Sequence, residues 1–433
     1  MPKSRTVVLL GCCLAGVPVA GAQPANVIFC IGDGMGFEQV KAAGMYAAGS
    51  AGAMCFEAFP FRGQVATYST DASVTDSAAS GTALATGVKV NNGVISMAYP
   101  GDGGELETLL EVFQARGKST GLVTTTYLTH ATPAAFGAHE PSRNNNQQIA
   151  DDYLMQTRPD VLFGGGGNGM PASPAGYVTV TDRAAMQALN TETATMTCGL
   201  FGGTHLPYEL DGLGSLPHLS EMTATALAVL DNDPDGFFLM VEGGRIDHAG
   251  HANDVARNVT ETVEFDEAVR EALRWADGRR DTLILVTADH ETGGMTVLAN
   301  NGVGCFPTVS WSTGGHTGVN VPIYAWGANA EFVPALMDNT ELFAVAVHAV
   351  GGDADGDGRV NCLDLAALTA HYGESGLGWA AGDFTGDGVV GYLDVGILAS
   401  RYVRPAGGGL VPEPAGLALL AVGGLALIRR RRG

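Results

Sequence analysis

The chain has 433 residues, of which 46% are hydrophobic and 16% are charged, and its formal net charge is −22. This length leaves room for two or three domains with a large core, and the hydrophobic fraction excludes a wholly disordered chain. The pI near 4.7 argues against a nucleic-acid-binding protein, because the acidic surface would repel a polyanion. An anionic small molecule would need a local concentration of positive charge in order to bind.

Residues 1–22 have the three parts of a secretory signal peptide. Lys3 and Arg5 form a basic start, an apolar stretch covers residues 6–19, and the small residues 20–22 offer a cleavage site. The alternative is a buried N-terminal helix. We expect an exported protein, in the periplasm, on the outer surface or outside the cell. The odd number of cysteines left after cleavage permits at most two internal disulfides.

Between residues 25 and 345 the chain alternates short apolar runs with helical stretches. Five runs are uniformly apolar, as expected of strands buried on both faces: 27–31, 120–125, 237–241, 282–287 and 321–326. The predicted helices between them include residues 105–115, 220–230 and 255–276. This alternation predicts an α/β fold, in which a central, mostly parallel sheet is flanked by helices on both faces.

Acidic residues and histidines follow four of the predicted strands, and one histidine precedes the fifth. They are Asp33, His130, Glu242, Asp247, His248, His251, Asp289, His290 and His316. Ligands of a parallel sheet bind beyond the carboxyl ends of its strands, which meet at one edge. Aspartate and histidine without cysteine form the ligand set expected of a catalytic zinc site. The sequence therefore predicts a metal site at this edge of the sheet.

A serine lies where a loop enters a predicted helix. In residues 74–83, Ser77 follows Asp76 and would lie near a helix N-terminus, where amide donors favour an anion. By themselves, Asp76 and Ser77 also have the pattern of an ordinary helix N-cap. A serine nucleophile needs a base or a metal. Because the chain has no Gly-x-Ser-x-Gly motif, a hydrolase triad is disfavoured and activation by a metal is left.

Six segments resemble the alkaline phosphatase family and occur in the family's order. They are Asp33 in its glycine-rich turn and residues 74–82, 129–133, 237–251, 286–294 and 316–318. The resemblance implies hydrolysis of small phosphate monoesters through a phosphoserine intermediate, with two zinc ions and one magnesium ion. It also implies that Ser77 is the nucleophile and that Arg143 grips the phosphate.

The same resemblance implies three sets of metal ligands. They are Asp247, His251 and His316 for one zinc, Asp33, Asp289 and His290 for the other, and Asp33, Thr132 and Glu242 for magnesium. His130 and His248 stand where some family members have aspartate and lysine, and we expect both to be hydrogen-bonded neighbours of the ligands. Residues 93–104 and 300–312 are compact, so we expect the family's larger insertions to be absent, with an open site and fewer dimer contacts as the result. A homodimer stays open as an alternative to a monomer.

Two twelve-residue segments near the C-terminus share the spacing of a calcium loop. Each has oxygen-bearing side chains at loop positions 1, 3, 5 and 12 and glycine at position 6. These side chains are Asp353, Asp355, Asp357 and Asp364 in the first loop, and Asp383, Thr385, Asp387 and Asp394 in the second. Short helices are predicted over 363–368 and 393–398. The pair is similar to a type I dockerin over residues 350–403, which implies Ca²⁺-dependent folding and a cohesin-like or envelope partner. The alternative is two Asp/Gly turns without an ion.

The chain ends with Val-Pro-Glu-Pro at 411–414, an apolar run over 415–428 and four arginines. This order resembles a PEP-CTERM sorting tail, which implies transient membrane association, and the alternative is an amphipathic tail helix. The sequence thus divides into a signal peptide (1–22), a catalytic domain (23–348), a calcium module (350–403) and a linker with a sorting tail (404–433).

An exported, metal-dependent phosphomonoesterase is the function that these features favour. A phosphodiesterase or sulfatase of the same superfamily is the nearest alternative, but Asp76 with Ser77 and the Thr132/Glu242 pair favour monoesters. A non-catalytic, calcium-dependent attachment protein is the alternative from another class. The complete set of implied metal ligands argues against it.

Overall fold

The computed structural model describes residues 25–347, 354, 360–375, 377, 381–384 and 389–401. The predicted signal peptide and sorting tail lie outside these residues. The same is true of five predicted calcium ligands: Asp353, Asp355, Asp357, Thr385 and Asp387. Within the described residues, no helix combines the length and the apolar character that a membrane span requires.

The described residues contain fourteen strands and twelve α-helices. In chain order the strands are β1 Asn26–Ile31, β2 Phe61–Ala66, β3 Ser119–Tyr127, β4 Val161–Gly165, β5 Val178–Val180, β6 Thr197–Leu200, β7 Phe237–Glu242, β8 Thr282–Thr287, β9 Glu291–Thr292, β10 Met295–Ala299, β11 Thr308–Trp311, β12 His316–Thr317, β13 Val321–Gly327 and β14 Leu336–Asp338. The helices are α1 Phe37–Ala48, α2 Ser77–Thr86, α3 Leu109–Ala115, α4 Ala131–Gly137, α5 Asn146–Asp152, α6 Arg183–Gln187, α7 Leu219–Leu230, α8 Arg245–His251, α9 Val255–Ala276, α10 Glu341–Val347, α11 Cys362–His371 and α12 Tyr392–Arg401.

Ten of the strands form one sheet in the order β14–β2–β13–β8–β1–β7–β3–β4–β6–β5. Every neighbouring pair is parallel except those of β13, which runs antiparallel to β8 and β2. Helices α3, α4, α7 and α9 pack against strands of this sheet. The predicted α/β architecture with a mostly parallel sheet is confirmed, and the strand predicted at 321–326 is the one that runs in the opposite direction.

The middle of the sheet is the most deeply buried part of the molecule. Strands β1, β7 and β8 are buried at every position, which explains why their sequences are apolar without alternation. Burial of each Val, Leu, Ile or Phe side chain contributes about 1.5–3 kcal/mol relative to exposure. These central strands therefore form a rigid frame for the residues that follow them.

The predicted helix at 105–115 begins later in the structure, at Leu109. Thr108 ends the preceding loop, because its hydroxyl accepts the Glu111 N–H at 3.3 Å while the Glu111 carboxylate accepts the Thr108 N–H at 2.9 Å. This reciprocal capping satisfies two amides of the first turn and determines where the helix starts. The prediction of a helix over 255–276 agrees with α9, and the helix predicted at 220 begins one residue earlier, at Leu219.

The cysteines of the described residues are unpaired. They are Cys30, Cys55, Cys198, Cys305 and Cys362. Cys198 is buried in β6, and burial raises the pKa of its thiol to about 12. Neither of the two disulfides that the cysteine count permits is formed among these residues.

Helices α11 and α12 confirm the two short helices predicted after the acidic loops. Each places the aspartate of loop position 12 in its first turn and buries it fully. Asp364 accepts the N–H groups of Ala354 and Asn361 at 2.6 and 2.7 Å, and Asp394 accepts that of Gly391 at 2.6 Å. The two halves of this region thus repeat one local structure.

Candidate active site

Four adjacent parallel strands bring the predicted strand-end residues to one edge of the sheet. β8, β1, β7 and β3 are neighbours in that order. Asp289 follows β8, Asp33 follows β1, Glu242 ends β7 and His130 follows β3. All four side chains are buried. The prediction that the strand-end residues meet at one edge is therefore confirmed.

Asp247, His251 and His316 form the first donor cluster, in which the ligand atoms all lie within 4.8 Å of one another. His251 Nδ1 lies 2.7 Å from the Gly314 carbonyl, and His316 Nδ1 lies 2.9 Å from the Thr75 carbonyl. A carbonyl only accepts, so each Nδ1 carries a proton. When both rings are neutral, each Nε2 therefore carries a lone pair and no proton. The two Nε2 atoms lie 3.1 Å apart, so two lone pairs meet with no proton between them. This arrangement fits a cation bound between them.

Asp33, Asp289 and His290 form the second donor cluster. Both oxygens of Asp33 and Oδ2 of Asp289 are buried and accept no hydrogen bond in the described part of the chain. Burial, and then the nearby Asp289 carboxylate, raise the pKa of Asp33 well above its usual range. The Thr292 hydroxyl lies 3.2 Å from His290 Nδ1. Buried carboxylate oxygens without donors are what a bound cation would satisfy.

Asp33 also belongs to a third donor cluster, together with His130 and Glu242. Oε2 of Glu242 accepts a hydrogen bond from the Thr124 hydroxyl, while Oε1 has no donor among the described residues. Thr132 Oγ1 and His130 Nδ1 are likewise buried without a partner there. Burial raises the pKa of Glu242 to about 7. His130, expected beside the ligands, instead lies among the donor atoms.

Helix α2 begins at Ser77, as the sequence predicts, and Asp76 is its N-cap. The Ser77 side chain is buried, and its Oγ lies 3.2 Å from His290 Nε2 of the second cluster. Arg143 Nη1 donates to Asp76 Oδ2 at 3.0 Å, and Nη2 lies 3.5 Å from His130 Nε2. The predicted nucleophile and the predicted phosphate clamp therefore lie at the same place as the donor clusters.

Two further histidines adjoin the third cluster. The His248 ring lies 4.4 Å from that of His205 and 5.8 Å from that of His130, and His248 Nδ1 is 3.2 Å from Arg245 Nη1. Burial, followed by the charges of His248 and Arg245, lowers the pKa of His205 to about 3. Burial, followed by the charge of Arg245, lowers the pKa of His248 to about 4. At neutral pH both rings are therefore uncharged and lie beside the donor atoms.

Sequence reasoning missed several of these residues. His205 lies in a loop after β6 and belongs to no segment with a recognisable motif. The Thr292 hydroxyl donates to Asp247 Oδ1 at 2.6 Å and so orients this carboxylate. The only feature of the sequence that pointed to Thr292 is its position shortly after Asp289 and His290. Asp247 lies on α8, and the spacing of residues does not reveal that α8 packs against Thr292.

Comparison with known proteins agrees with this geometry. Residues 24–174 and 171–307 match the alkaline phosphatase family, and residues 351–402 match the dockerin type I domain. Alkaline phosphatase 3 of Bacillus subtilis (strain 168) is 34% identical over 425 residues, covering 75% of this chain and 91% of the relative.

Solved structures give the same result. The alkaline phosphatase from the Antarctic bacterium TAB5 has a TM-score of 0.68 and 30% identity, covering 76% of this chain and 98% of that one. A histidine-to-aspartate mutant of the TAB5 enzyme with Mg bound in the M3 site has a TM-score of 0.66 and 29% identity, with the same coverage. The chain therefore belongs to the alkaline phosphatase family and has a type I dockerin domain after its phosphatase body.

Proposed function

We propose that this chain hydrolyses small phosphate monoesters through a covalent phosphate on Ser77. The observation that carries the proposal is the position of the Ser77 hydroxyl. Ser77 is the first residue of α2, and its Oγ lies 3.2 Å from His290 Nε2. Membership of the alkaline phosphatase family, with relatives about a third identical, supports a phosphatase of this superfamily. Arg143 supplies the local positive charge that a phosphate needs on an otherwise acidic protein.

The donor clusters define which residues would hold the cations. We assign one zinc ion to Asp247, His251 and His316, and a second to Asp33, Asp289 and His290. Magnesium would be held by Asp33, Thr132 and Glu242, with His130 as a further donor. When bound, these ions would supply Lewis-acid stabilisation of negative charge on the serine oxygen, the phosphate and the leaving oxygen.

The chain's own residues provide the nucleophile and the phosphate site. Ser77 Oγ forms a bond to phosphorus while the bond to the ester oxygen breaks, and the alcohol leaves with a proton. Water then attacks the phosphoserine, which releases inorganic phosphate and restores the Ser77 hydroxyl. Arg143, oriented by Asp76, can donate two parallel N–H bonds to phosphate oxygens. The amides at the start of α2 also favour the bound anion.

The remaining parts of the chain support an exported protein with a calcium-stabilised appendage. Residues 1–22 would direct export, 23–348 would form the catalytic domain, 350–403 would bind Ca²⁺, and 404–433 would form a linker and a sorting tail. The dockerin match and the buried aspartates at the start of α11 and α12 support the calcium module. A cohesin-like or envelope protein is the partner that such a module would bind.

Substrate preference and metal dependence test the proposal directly. The purified chain is stripped with a chelator, then restored with zinc, magnesium or both, and assayed on p-nitrophenyl phosphate and bis-p-nitrophenyl phosphate. We expect a strong monoester preference that disappears on chelation and returns with zinc plus magnesium. A diester preference would instead place the chain among the phosphodiesterases of the superfamily.

The Ser77→Ala variant tests the nucleophile. Removing the attacking oxygen should lower kcat by at least about 10³-fold, because binding and cations alone cannot form the covalent intermediate. Acid-quenched wild-type protein should contain phosphoserine at position 77 by mass spectrometry, and the variant should not. Ser215→Ala, at an exposed position, is the matched control. Unchanged phosphate release by Ser77→Ala would favour the non-catalytic attachment protein.

A further inference from the structure

A fourth cluster of potential metal ligands shares no residue with the three at the sheet edge. It consists of Glu209, His218 and Glu264, whose ligand atoms all lie within 4.8 Å of one another. Glu209 begins the 3₁₀ turn Glu209–Asp211, His218 precedes α7, and Glu264 lies in the middle of α9. We propose that this cluster binds a divalent transition-metal cation, with zinc as the probe that tests it.

Hydrogen bonds between side chains and to backbone amides hold the cluster in place. His218 Nδ1 lies 2.7 Å from Glu209 Oε2, and the Ser220 N–H donates to Glu264 Oε1 at 2.8 Å. The His218 N–H donates to Glu221 Oε2 at 2.9 Å, which fixes the backbone from which the imidazole projects. The donor set is therefore oriented by the start of α7, and it does not depend on flexible surface side chains alone.

A buried carboxylate holds the backbone of one cluster member. Glu261 lies about one turn before Glu264 on α9 and is only 4% exposed. Its Oε1 accepts the Glu209 N–H at 2.8 Å. The turn that carries Glu209 is therefore fixed to α9, the helix that also carries Glu264.

The cluster brings two carboxylates together at one histidine. The ligand atoms of Glu209 and Glu264 lie within 4.8 Å of each other and of a ring nitrogen of His218. The Arg183 guanidinium pairs with Glu221 at 2.7 Å, and that of Arg245 lies over the Tyr208 ring. A divalent ion between the donor atoms would offset the repulsion between the two carboxylates.

The chemistry of the donors selects the class of ion. Calcium and magnesium prefer sites made of oxygen atoms alone, whereas an imidazole with carboxylates suits zinc and similar transition metals. The His218 side chain is 39% exposed, which leaves a path for the ion to enter. Because the cluster joins the loop after β6 to α7 and α9, a bound ion would act as a structural clip. Turnover would not depend on it.

Metal content of the full, purified chain tests the site. Samples of wild type, His218→Gln, Glu264→Gln and the double variant are dialysed against zinc and analysed by inductively coupled plasma mass spectrometry. We expect each single variant to lose about one zinc per chain, the double variant to lose no more, and p-nitrophenyl phosphate hydrolysis to stay at the wild-type level. Glu271→Gln is the matched control, because Glu271 lies on α9, pairs with Arg274 and is not part of the cluster.

Equal zinc content in all variants and in the control would overturn the proposal. Because a variant could lose zinc by misfolding, a second measurement uses the wild-type chain. Crystals grown with zinc should show an anomalous difference peak, at the zinc absorption edge, between Glu209, His218 and Glu264. Peaks at the sheet edge without a peak at this position would mean that the cluster is only a His–Glu ion pair. Failure of this test would leave the phosphatase proposal untouched.

Discussion

The candidate site depends on which ring nitrogen each histidine turns toward the cluster. The carbonyl oxygens of Gly314 and Thr75 accept hydrogen bonds from Nδ1–H of His251 and His316, respectively. Both Nε2 atoms are therefore available as ligands. The Thr292 hydroxyl, which donates to Asp247, lies beside Nδ1 of His290. The orientation of these three histidines is therefore set by two backbone carbonyls and a hydroxyl.

Arg143 gives a prediction for a single side chain. Arg143→Lys keeps the charge but loses the planar fork that can hold two phosphate oxygens. Since a hydrogen bond to a charged group contributes about 1.5–3 kcal/mol, we expect kcat/KM to fall by about 10–100-fold. The inhibition constant of inorganic phosphate should rise in parallel. Arg279→Lys, in a surface ion pair with Asp231, is the control. An unchanged phosphate inhibition constant would contradict a clamping role.

Local capping decides where elements begin, as α3 illustrates. Glu111 closes the capping box of this helix and also lies 3.2 Å from the buried ring of His139. Burial opposes charge on both groups, but their mutual hydrogen bond prevails, so that the pKa of Glu111 is lowered and that of His139 is raised. The contribution of Glu111 is lost as pH falls through its lowered pKa. That of His139 is lost as pH rises through its raised pKa.

Glu111→Gln should therefore destabilise the protein most between about pH 5 and 6.5, where both groups are charged. Glutamine can still complete the capping box, so that the variant removes mainly the charge. Urea denaturation at pH 6 and pH 9 measures the difference in the free energy of unfolding. A larger loss at pH 6 is expected, because the charge on His139 is lost as pH rises through its raised pKa. An equal loss at both values would show that the pair contributes no charge interaction.

In the described residues, the large core around the central sheet and the small core of the dockerin domain are separate sets of residues. The small cluster includes Val360, Leu368, Phe384, Val390 and Leu398, and none of its members belongs to the cluster around the central sheet. A core this small buries little apolar surface, so its stability depends on additional links such as a bound ion. We therefore expect the two parts of the molecule to unfold separately.

Calcium removal tests this expectation. With zinc and magnesium kept buffered, a calcium-selective chelator should abolish or lower the calorimetric transition of residues 350–403 and leave p-nitrophenyl phosphate hydrolysis unchanged. Asp364→Asn should have the same effect without chelator, because it removes charge from loop position 12. Identical calorimetric traces with and without calcium would contradict a calcium-stabilised module.

Features that depend on neighbours along the chain could be predicted from the amino-acid order alone. Uniform apolar runs predicted the buried strands, and a serine after an N-cap predicted the start of α2. Ligand-type residues directly after strands predicted the edge at which the site lies, because parallel strands share that edge. The motifs that resemble the alkaline phosphatase family are mostly continuous runs of residues, and for that reason the family is recognisable from the sequence.

Contacts between residues far apart in the chain were settled by packing. The fold placed β13 antiparallel, brought His130 into the third donor cluster, seated His205 against His248, and gathered Glu209, His218 and Glu264 from three separate elements. Hydrophobic periodicity reports only whether a side chain faces the core, whereas these contacts depend on how strands and helices pack across the whole chain. Local pattern therefore predicted five strands of the central sheet, several helices and most of the candidate ligands, and packing decided their partners.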